Sequence, residues 1–303
     1  MLSAGIDEYP VDHELFDALG AAARKLATDL PNSATGQRYA FLRNDVFHKI
    51  SDDRRKMQIY WQEMFLRAHW AAMLNLRRHE RWQSACIMAY EATNFYSFVA
   101  SLRGLLEAAL DAHYSLGPVP ISFAEHYEHI QSALHGELNG ALISSEIEDR
   151  LIHFVYARKL EKREQGIAPD SHEALDPREY RNALHLPGQY RDGFRRLYDE
   201  LCAYCHPTAF SLRPLWRTLP DGKITFVVLD DQQAIKQLVD THREAIEFAL
   251  GLSVTTSVLV LRTINQFTFS EVHCTAVEQW NLSNIKAWET IAQKIENARQ
   301  DVQ

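Results

Sequence analysis

Apolar residues recur every three or four positions along most of this chain, the period of helices with one buried face. The clearest run begins after Ser51, a good N-cap. It places Ile59, Tyr60, Met64, Phe65, Ala68, Ala72 and Leu76 on one face. The charged cluster Arg77, Arg78, His79, Glu80, Arg81 predicts an exposed turn. A second long helix then runs from Trp82 to Leu116. Its buried stripe is Ile87, Phe95, Phe98, Leu102, Leu106 and Ala109, and Gly117-Pro118 ends it.

Shorter elements surround these two. A first helix is expected over Asp12–Leu30, closed by Pro31, which cannot continue a helix. Asn32–Gly36 reads as a loop and Gln37–Ile50 as a further helix. Ser122 with Glu125, and Ser145 with Glu148, have the spacing of capping boxes; they open helices to about Leu134 and Gly166. Asp176-Pro177 starts a short helix that Leu186-Pro187-Gly188 breaks. Gln189–Cys205 follows, stopped by Pro207. Asp231–Gln266 and Asn281–Gln300 complete the helical set.

The β signal is confined to Leu212–Thr218 and Lys223–Leu229, around the turn Leu219-Pro220-Asp221-Gly222. A lone hairpin is marginal in water, so it is expected to pack on the helices. The predicted fold is all-α, a multi-helix bundle of seven to nine helices with a small β-hairpin insertion. The whole chain, 1–303, forms one helical domain: an N-terminal helical arm (1–50), a core bundle (51–207), the hairpin (212–229) and C-terminal helices (231–303).

Composition changes this picture little. A hydrophobic share of 46% and a charged share of 24% allow a full core and exclude a disordered chain. The net charge of −8 gives no general attraction to nucleic acid or anionic lipid, so a nucleic-acid reading needs a local patch. Met1–Pro10 has neither the basic nor the apolar region of a secretory leader, which predicts the cytoplasm. Phe248–Leu261 is too short to span a bilayer and lies between Glu247 and Arg262, so a buried helix and no membrane are expected. The four cysteines then read as reduced thiols, Cys86 and Cys274 as small buried hydrophobes.

Cys202-Ala203-Tyr204-Cys205-His206 matches the C-x-x-C-H pattern of covalent haem attachment, but it ends a helix in a chain with no export leader. Zinc fits no better. His206 lies about 100° round the helix from Cys205, and no second cluster offers the missing ligands. No metal and no cofactor are expected. Arg195, Asp199, Cys202 and His206 form one stripe beside an apolar face; it suits either phosphate binding or a plain helix C-terminus with an ion pair. Arg103 and Glu107 sit one turn apart on the long helix, in the less favourable order against the helix dipole. Glu91 and His113 fall on the Phe95–Leu102–Ala109 face and are expected to be buried, as a structural network or as a polar pocket. Arg77, Arg78 and Arg81 beside Trp70 and Trp82, and Arg191, Arg195 and Arg196 before His206, are arginine groups that could hold single-stranded RNA or simply face solvent.

Ser101-Leu102-Arg103-Gly104-Leu105-Leu106-Glu107, taken with Leu197-Tyr198-Asp199-Glu200-Leu201-Cys202-Ala203-Tyr204-Cys205-His206-Pro207, resembles a group of uncharacterised bacterial helical proteins. Those carry an R-x-x-x-E helix and a later helix ending in histidine. That group is distantly similar to HEPN-type helical domains, several of which are metal-independent ribonucleases of defence or toxin–antitoxin systems. The resemblance covers Trp82–Pro207. The usual HEPN signature has an arginine and a later histidine separated by four to six residues. Arg43–His48 and Arg178–His185 have that spacing, and His206 has no arginine so placed.

The resemblance implies an RNA-binding or RNA-cleaving component of a bacterial defence or toxin system. Arg103, Glu107 and His206 would be the catalytic group, with Glu107 accepting from both of the others. Arg191, Arg195 and Arg196 would be the nucleic-acid contacts. RNA or a partner protein would be the ligand, and a homodimer fits the reading. The alternative is a non-catalytic helical interaction or scaffold protein, in which the same residues form a structural network.

Overall fold

The computed structural model describes residues 15–183, 188–227 and 230–301. The residues Asp12–Glu14 of the expected first helix, Leu184–Pro187 and Val228–Leu229 lie outside that set.

The chain is organised around one helix, α3 (Asp53–Glu91), of 39 residues and therefore roughly 58 Å long. Asp52 caps it, its carboxylate accepting from the backbone N–H groups of Arg54 and Arg55, so the cap falls one residue beyond Ser51. The expected turn at Arg77–Arg81 does not form. Each charge there finds a partner without leaving the helix: Arg77 reaches Asn32, Arg78 reaches Asp111, and Glu80 receives the Ser84 hydroxyl. His79 is wholly buried. The break comes instead at Ala92–Asn94. Thr93 turns left-handed there at φ 49°. Asn94 then caps α4 (Phe95–Leu116). The predicted Trp82–Leu116 helix is thus the end of one helix and the whole of the next.

α4 folds back along α3, as Trp82 against Gly104 and Arg78 against Asp111 show. A Cβ at position 104 would lie 2.8 Å from the Trp82 ring, so glycine is what allows that approach. α12 (Arg243–Ile264) covers both helices, and α1 (Asp17–Ser33) lies against α3 and α12. α12 is long and apolar enough to cross a membrane by composition alone, but 67% of its apolar window is buried in the bundle, as expected of a core helix. Pro31 sits inside the last turn of α1 rather than closing it.

The other elements dress this core. Residues 37–43 are not helical, and only the single turn α2 (Asn44–Phe47) forms. They are held by side chains of α3: Tyr39 bonds His69 at 2.7 Å, Phe41 lies under Arg67, and the N–H of Leu42 meets the Glu63 carboxylate. α5 (Val119–Glu125) begins at Pro118, which leaves Ser122 inside the helix without a capping role; α6 (Tyr127–Leu134) follows a kink at His126. α7 (Ser145–Tyr156) is capped by Ser144 and ends ten residues before Gly166. α8 (Pro177–Ala183) starts where Asp176-Pro177 predicts, with Asp176 and Glu179 each accepting a backbone N–H of the other's turn. α9 (Gly188–Cys205) lies against α4. After α10 (Ala209–Leu212) comes the hairpin. α11 (Asp231–Thr241) and α12 divide at His242, whose imidazole meets Glu200 of α9 at 2.8 Å. α13 (Thr275–Glu278) and α14 (Lys286–Asp301) complete the described chain. Eight of these helices have eleven or more residues (α1, α3, α4, α7, α9, α11, α12, α14), and a single hydrophobic cluster joins helices from α1 to α14. The fold is the expected all-α bundle with a small hairpin.

The hairpin departs from expectation in its setting. β1 (Trp216–Thr218) pairs antiparallel with β2 (Ile224–Phe226), Trp216 opposite Phe226. Trp216, Ile224 and Phe226 therefore share one face, and that face is not packed on helices: Ile224 is 70% exposed and Phe226 91%.

The core is not wholly apolar. Asn75, His79 and Gln83 follow one another at single-turn spacing on α3, all buried. Asn75 donates to the Ser253 carbonyl and the Ser257 hydroxyl of α12, and Gln83 donates to the Gly20 carbonyl of α1. Neither ring nitrogen of His79 reaches a partner among the described residues. Burial holds its pKa down to about 4, with the nearby Gln83 amide pulling the other way. Burial alone holds His69 at about 4. Both are therefore neutral in the fold, while the unfolded chain protonates near pH 6.5. Stability is fully present above about pH 6.5 and falls as the pH drops toward about 4, by an amount on the order of 3 kcal/mol for each group. Urea midpoints measured between about pH 7.5 and 4.5 should fall steeply in the native chain. They should fall less in His79→Gln; equal slopes in the two proteins would contradict the assignment.

Candidate functional site

α4 carries its polar residues in a stripe. Arg103, Glu107 and Asp111 succeed one another at four-residue steps, alongside the buried Leu102, Leu105, Leu106 and Ala109. α9 closes on one end of this stripe and α7 and α8 on the other.

At the α9 end, Arg103 Nε donates to Glu107 Oε1 at 2.9 Å. The Tyr198 hydroxyl donates to the same oxygen at 2.8 Å. The guanidinium lies 5.7 Å from the Tyr198 ring centroid. Burial disfavours its charge, but Glu107 and then the Cys202 thiol raise its pKa above the ordinary value, so it is a fixed cation. The Tyr198 hydroxyl is pushed up by burial and by the hydrogen bond to Glu107. Burial keeps the Cys205 thiol above its usual range, and the nearby Arg103 acts in the opposite direction.

The expected Glu107–His206 contact is not made. Tyr198 occupies the second place at Glu107, because α9 presents position 198 to α4 while His206 lies beyond the helix end. His206 is exposed, and its imidazole has no partner among the described residues. It remains at the border of the cluster, since its neighbour Cys205 lies near Arg103. Arg191, Arg195 and Arg196 are all exposed on α9 and form no ion pair among the described residues; the expected Arg195–Asp199 pair is absent there. The other arginine group is engaged internally, on Asn32, Asp111 and Glu80. Glu91 is exposed at the end of α3, on a different helix from the stripe it was expected to share. His113 is half-buried, and burial lowers its pKa.

The far end of the stripe holds a network that spacing did not reveal. Arg78 Nη1 donates to Asp111 Oδ2 at 2.6 Å, and Nη2 donates to the Ala108 carbonyl at 3.2 Å. The Tyr180 hydroxyl lies 2.8 Å from His153 Nε2 and within electrostatic reach of Asp111. Burial lowers the His153 pKa, and Arg150 adds to it, while Asp111 and the nearby Ser171 backbone act the other way. His153 is 5% exposed and forms the floor of a groove of about 460 Å3, walled by Glu146, Asp149 and Asp170, with Arg150 stacked on Tyr114 at 4.0 Å. The only sequence trace of it was the one-turn step from Asp149 and Arg150 to His153 on α7. Its partners come from three other segments. Among the described residues, no group of three or more His, Cys, Asp or Glu is arranged to hold a metal ion.

The fold and these clusters define a helical bundle with a polar seam along one edge of its second long helix. Comparison with family models, with curated proteins and with solved structures finds no match to this chain.

The two ends of the seam differ in burial, which sets their energetic weight. The Asp111 side chain is 16% exposed against 36% for Glu107. Asp111→Ala strands Arg78 and Tyr180 and should cost about 2–4 kcal/mol. Glu107→Ala should cost about 1 kcal/mol. Chemical denaturation of the two variants tests the order, and an equal or reversed loss would refute it.

Proposed function

We propose that this chain is a HEPN-like helical protein that binds RNA at the α4–α9 edge and cleaves it there without a metal. The observation that carries the reading is the setting of His206: an exposed imidazole without a partner among the described residues, one residue beyond a thiol that lies near Arg103. Metal-independent cleavage of RNA needs a group that takes the 2′-hydroxyl proton and a cation that meets the phosphate oxygens as charge develops on them. His206 would supply the first. Arg103, steadied by Glu107 and Tyr198, would supply the second. Arg191, Arg195 and Arg196, exposed and without carboxylate partners among the described residues, would carry the strand along α9. The His153 groove is the poorer candidate for this chemistry. Its Nε2 is engaged by Tyr180, and Glu146, Asp149 and Asp170 would repel phosphate. A bacterial defence or toxin system is the setting that the resemblance implies.

One observation favours a second reading, a non-catalytic interaction or scaffold protein: the exposed Trp216, Ile224 and Phe226 face of the hairpin. Under it, Arg103, Glu107 and Tyr198 simply tie α9 to α4.

A labelled single-stranded oligoribonucleotide separates the two. On the RNA reading, anisotropy gives an affinity that weakens with salt. Replacing Arg191, Arg195 and Arg196 together with Ala weakens binding about tenfold or more and shallows the salt slope by about 0.7 for each lost contact. His206→Ala keeps binding and lowers the cleavage rate by roughly 10²-fold or more. No binding at low salt, or a triple variant that binds like the native chain, overturns the RNA reading. Binding without cleavage removes the catalytic half of it.

A further inference from the structure

Cys202 and Cys205 are not accounted for by haem, by zinc or by RNA chemistry, yet their placement is specific. They lie one turn apart in the final turn of α9. At that spacing the Cα atoms of a helix are about 5 Å apart, within the span of a disulfide, and the Cβ atoms are about 1–2 Å too far. The missing movement is available at this end of the helix. α9 stops at Cys205, and residues 206–208 form bends before α10. Cys205 is exposed and Cys202 half-buried, whereas Cys86 and Cys274 are buried in the core. Both thiols lie within electrostatic reach of Arg103, and Cys202 lies near the Tyr198 hydroxyl. Burial holds the Cys205 thiol above its usual range, and Arg103 acts against that burial, so the cation keeps available some of the thiolate that attacks in exchange.

We propose that Cys202 and Cys205 form a reversible redox site that exchanges with small disulfides. The exposed Cys205 thiolate attacks one sulfur of the disulfide; a bond from Cys205 to that sulfur forms, the small disulfide bond breaks, and the departing thiolate takes up the proton Cys205 lost. The Cys202 thiolate then attacks the Cys205 sulfur, closing the intrahelical disulfide and releasing the second small thiol with the Cys202 proton. Two protein thiols are oxidised, and one small disulfide is reduced to two thiols. The proposal stands independently of the RNA reading, because it needs only the thiols, Arg103 and the helix end.

The full chain is equilibrated with oxidised and reduced glutathione at a series of ratios, quenched with acid, unfolded, and labelled with a maleimide. Two of the four thiols should disappear together, with an intact mass lower by two hydrogens and no retained glutathione. Cys202→Ser should stop the reaction at one glutathionyl group on Cys205. Cys205→Ser should leave Cys202 far slower to react. Arg103→Gln should slow the first step without changing the product. Four thiols persisting at the most oxidising ratio would overturn the proposal. So would a Cys202→Ser variant that loses two thiols like the native chain, or loss appearing only as disulfide-linked dimers on a non-reducing gel.

Discussion

Asn75 is cut off from water in the middle of α3; its Nδ2 donates to Ser253 and Ser257 of α12, while its Oδ1 has no partner among the described residues. That requirement fixes how the two helices lie. Sliding α12 by one turn would keep the apolar area buried but would leave a buried amide without acceptors, at a cost of about 1–3 kcal/mol. Gln83, two turns further on, does the same for α1 through the Gly20 carbonyl. Aliphatic packing makes the bundle stable, and these polar contacts select one register for it. His79 sits between them with no partner among the described residues, so the same seam that specifies the fold also makes it sensitive to acid.

With α3 and α12 fixed, α4 has one edge left over, and its polar stripe falls there. The stripe works as two separate devices because different elements cover its ends. α9 leaves Arg103 and Glu107 about a third exposed. Its helix end puts two thiols and an exposed imidazole beside them. α7 and α8 cover the other end, where Arg78 is tied to Asp111 and His153 to Tyr180. Groups paired with one another inside the bundle hold structure, whereas an exposed end can meet a ligand. That contrast is why the candidate site is placed at the α9 end.

The hairpin stands apart from this logic. Its three-residue strands expose Trp216, Ile224 and Phe226 together. The alternation that made the strands legible was apolar on one side, and the core is not what that side meets.

Much of the molecule was legible in its sequence because helical periodicity is a local property. The apolar stripes of α3 and α4, the start at Asp176-Pro177, the stop at Gly117-Pro118 and the buried character of Phe248–Leu261 all follow from residues within a few turns of one another. The errors share one cause. Arg77–Arg81 looked like a turn because five charged or polar residues in a row have no local reason to stay helical; their partners, Asn32 and Asp111, are supplied by α1 and α4. Residues 37–43 looked helical because nothing local shows that Tyr39 and Phe41 are claimed by His69, Trp70 and Arg67 of α3. The Arg103–Glu107 pair could be read from a four-residue step. That Tyr198 rather than His206 completes it depends on the rotation of α9 against α4, which packing alone decides. His153 drew no notice for the same reason: its chemistry comes from Tyr180, Asp111 and Ser171, brought together from three segments. The sequence by itself determined where helices run and which faces are apolar, since backbone hydrogen bonding and side-chain spacing act over a few residues. The tertiary structure decided which polar groups meet, since a buried charge or amide takes its partner from whichever helix the packing places against it.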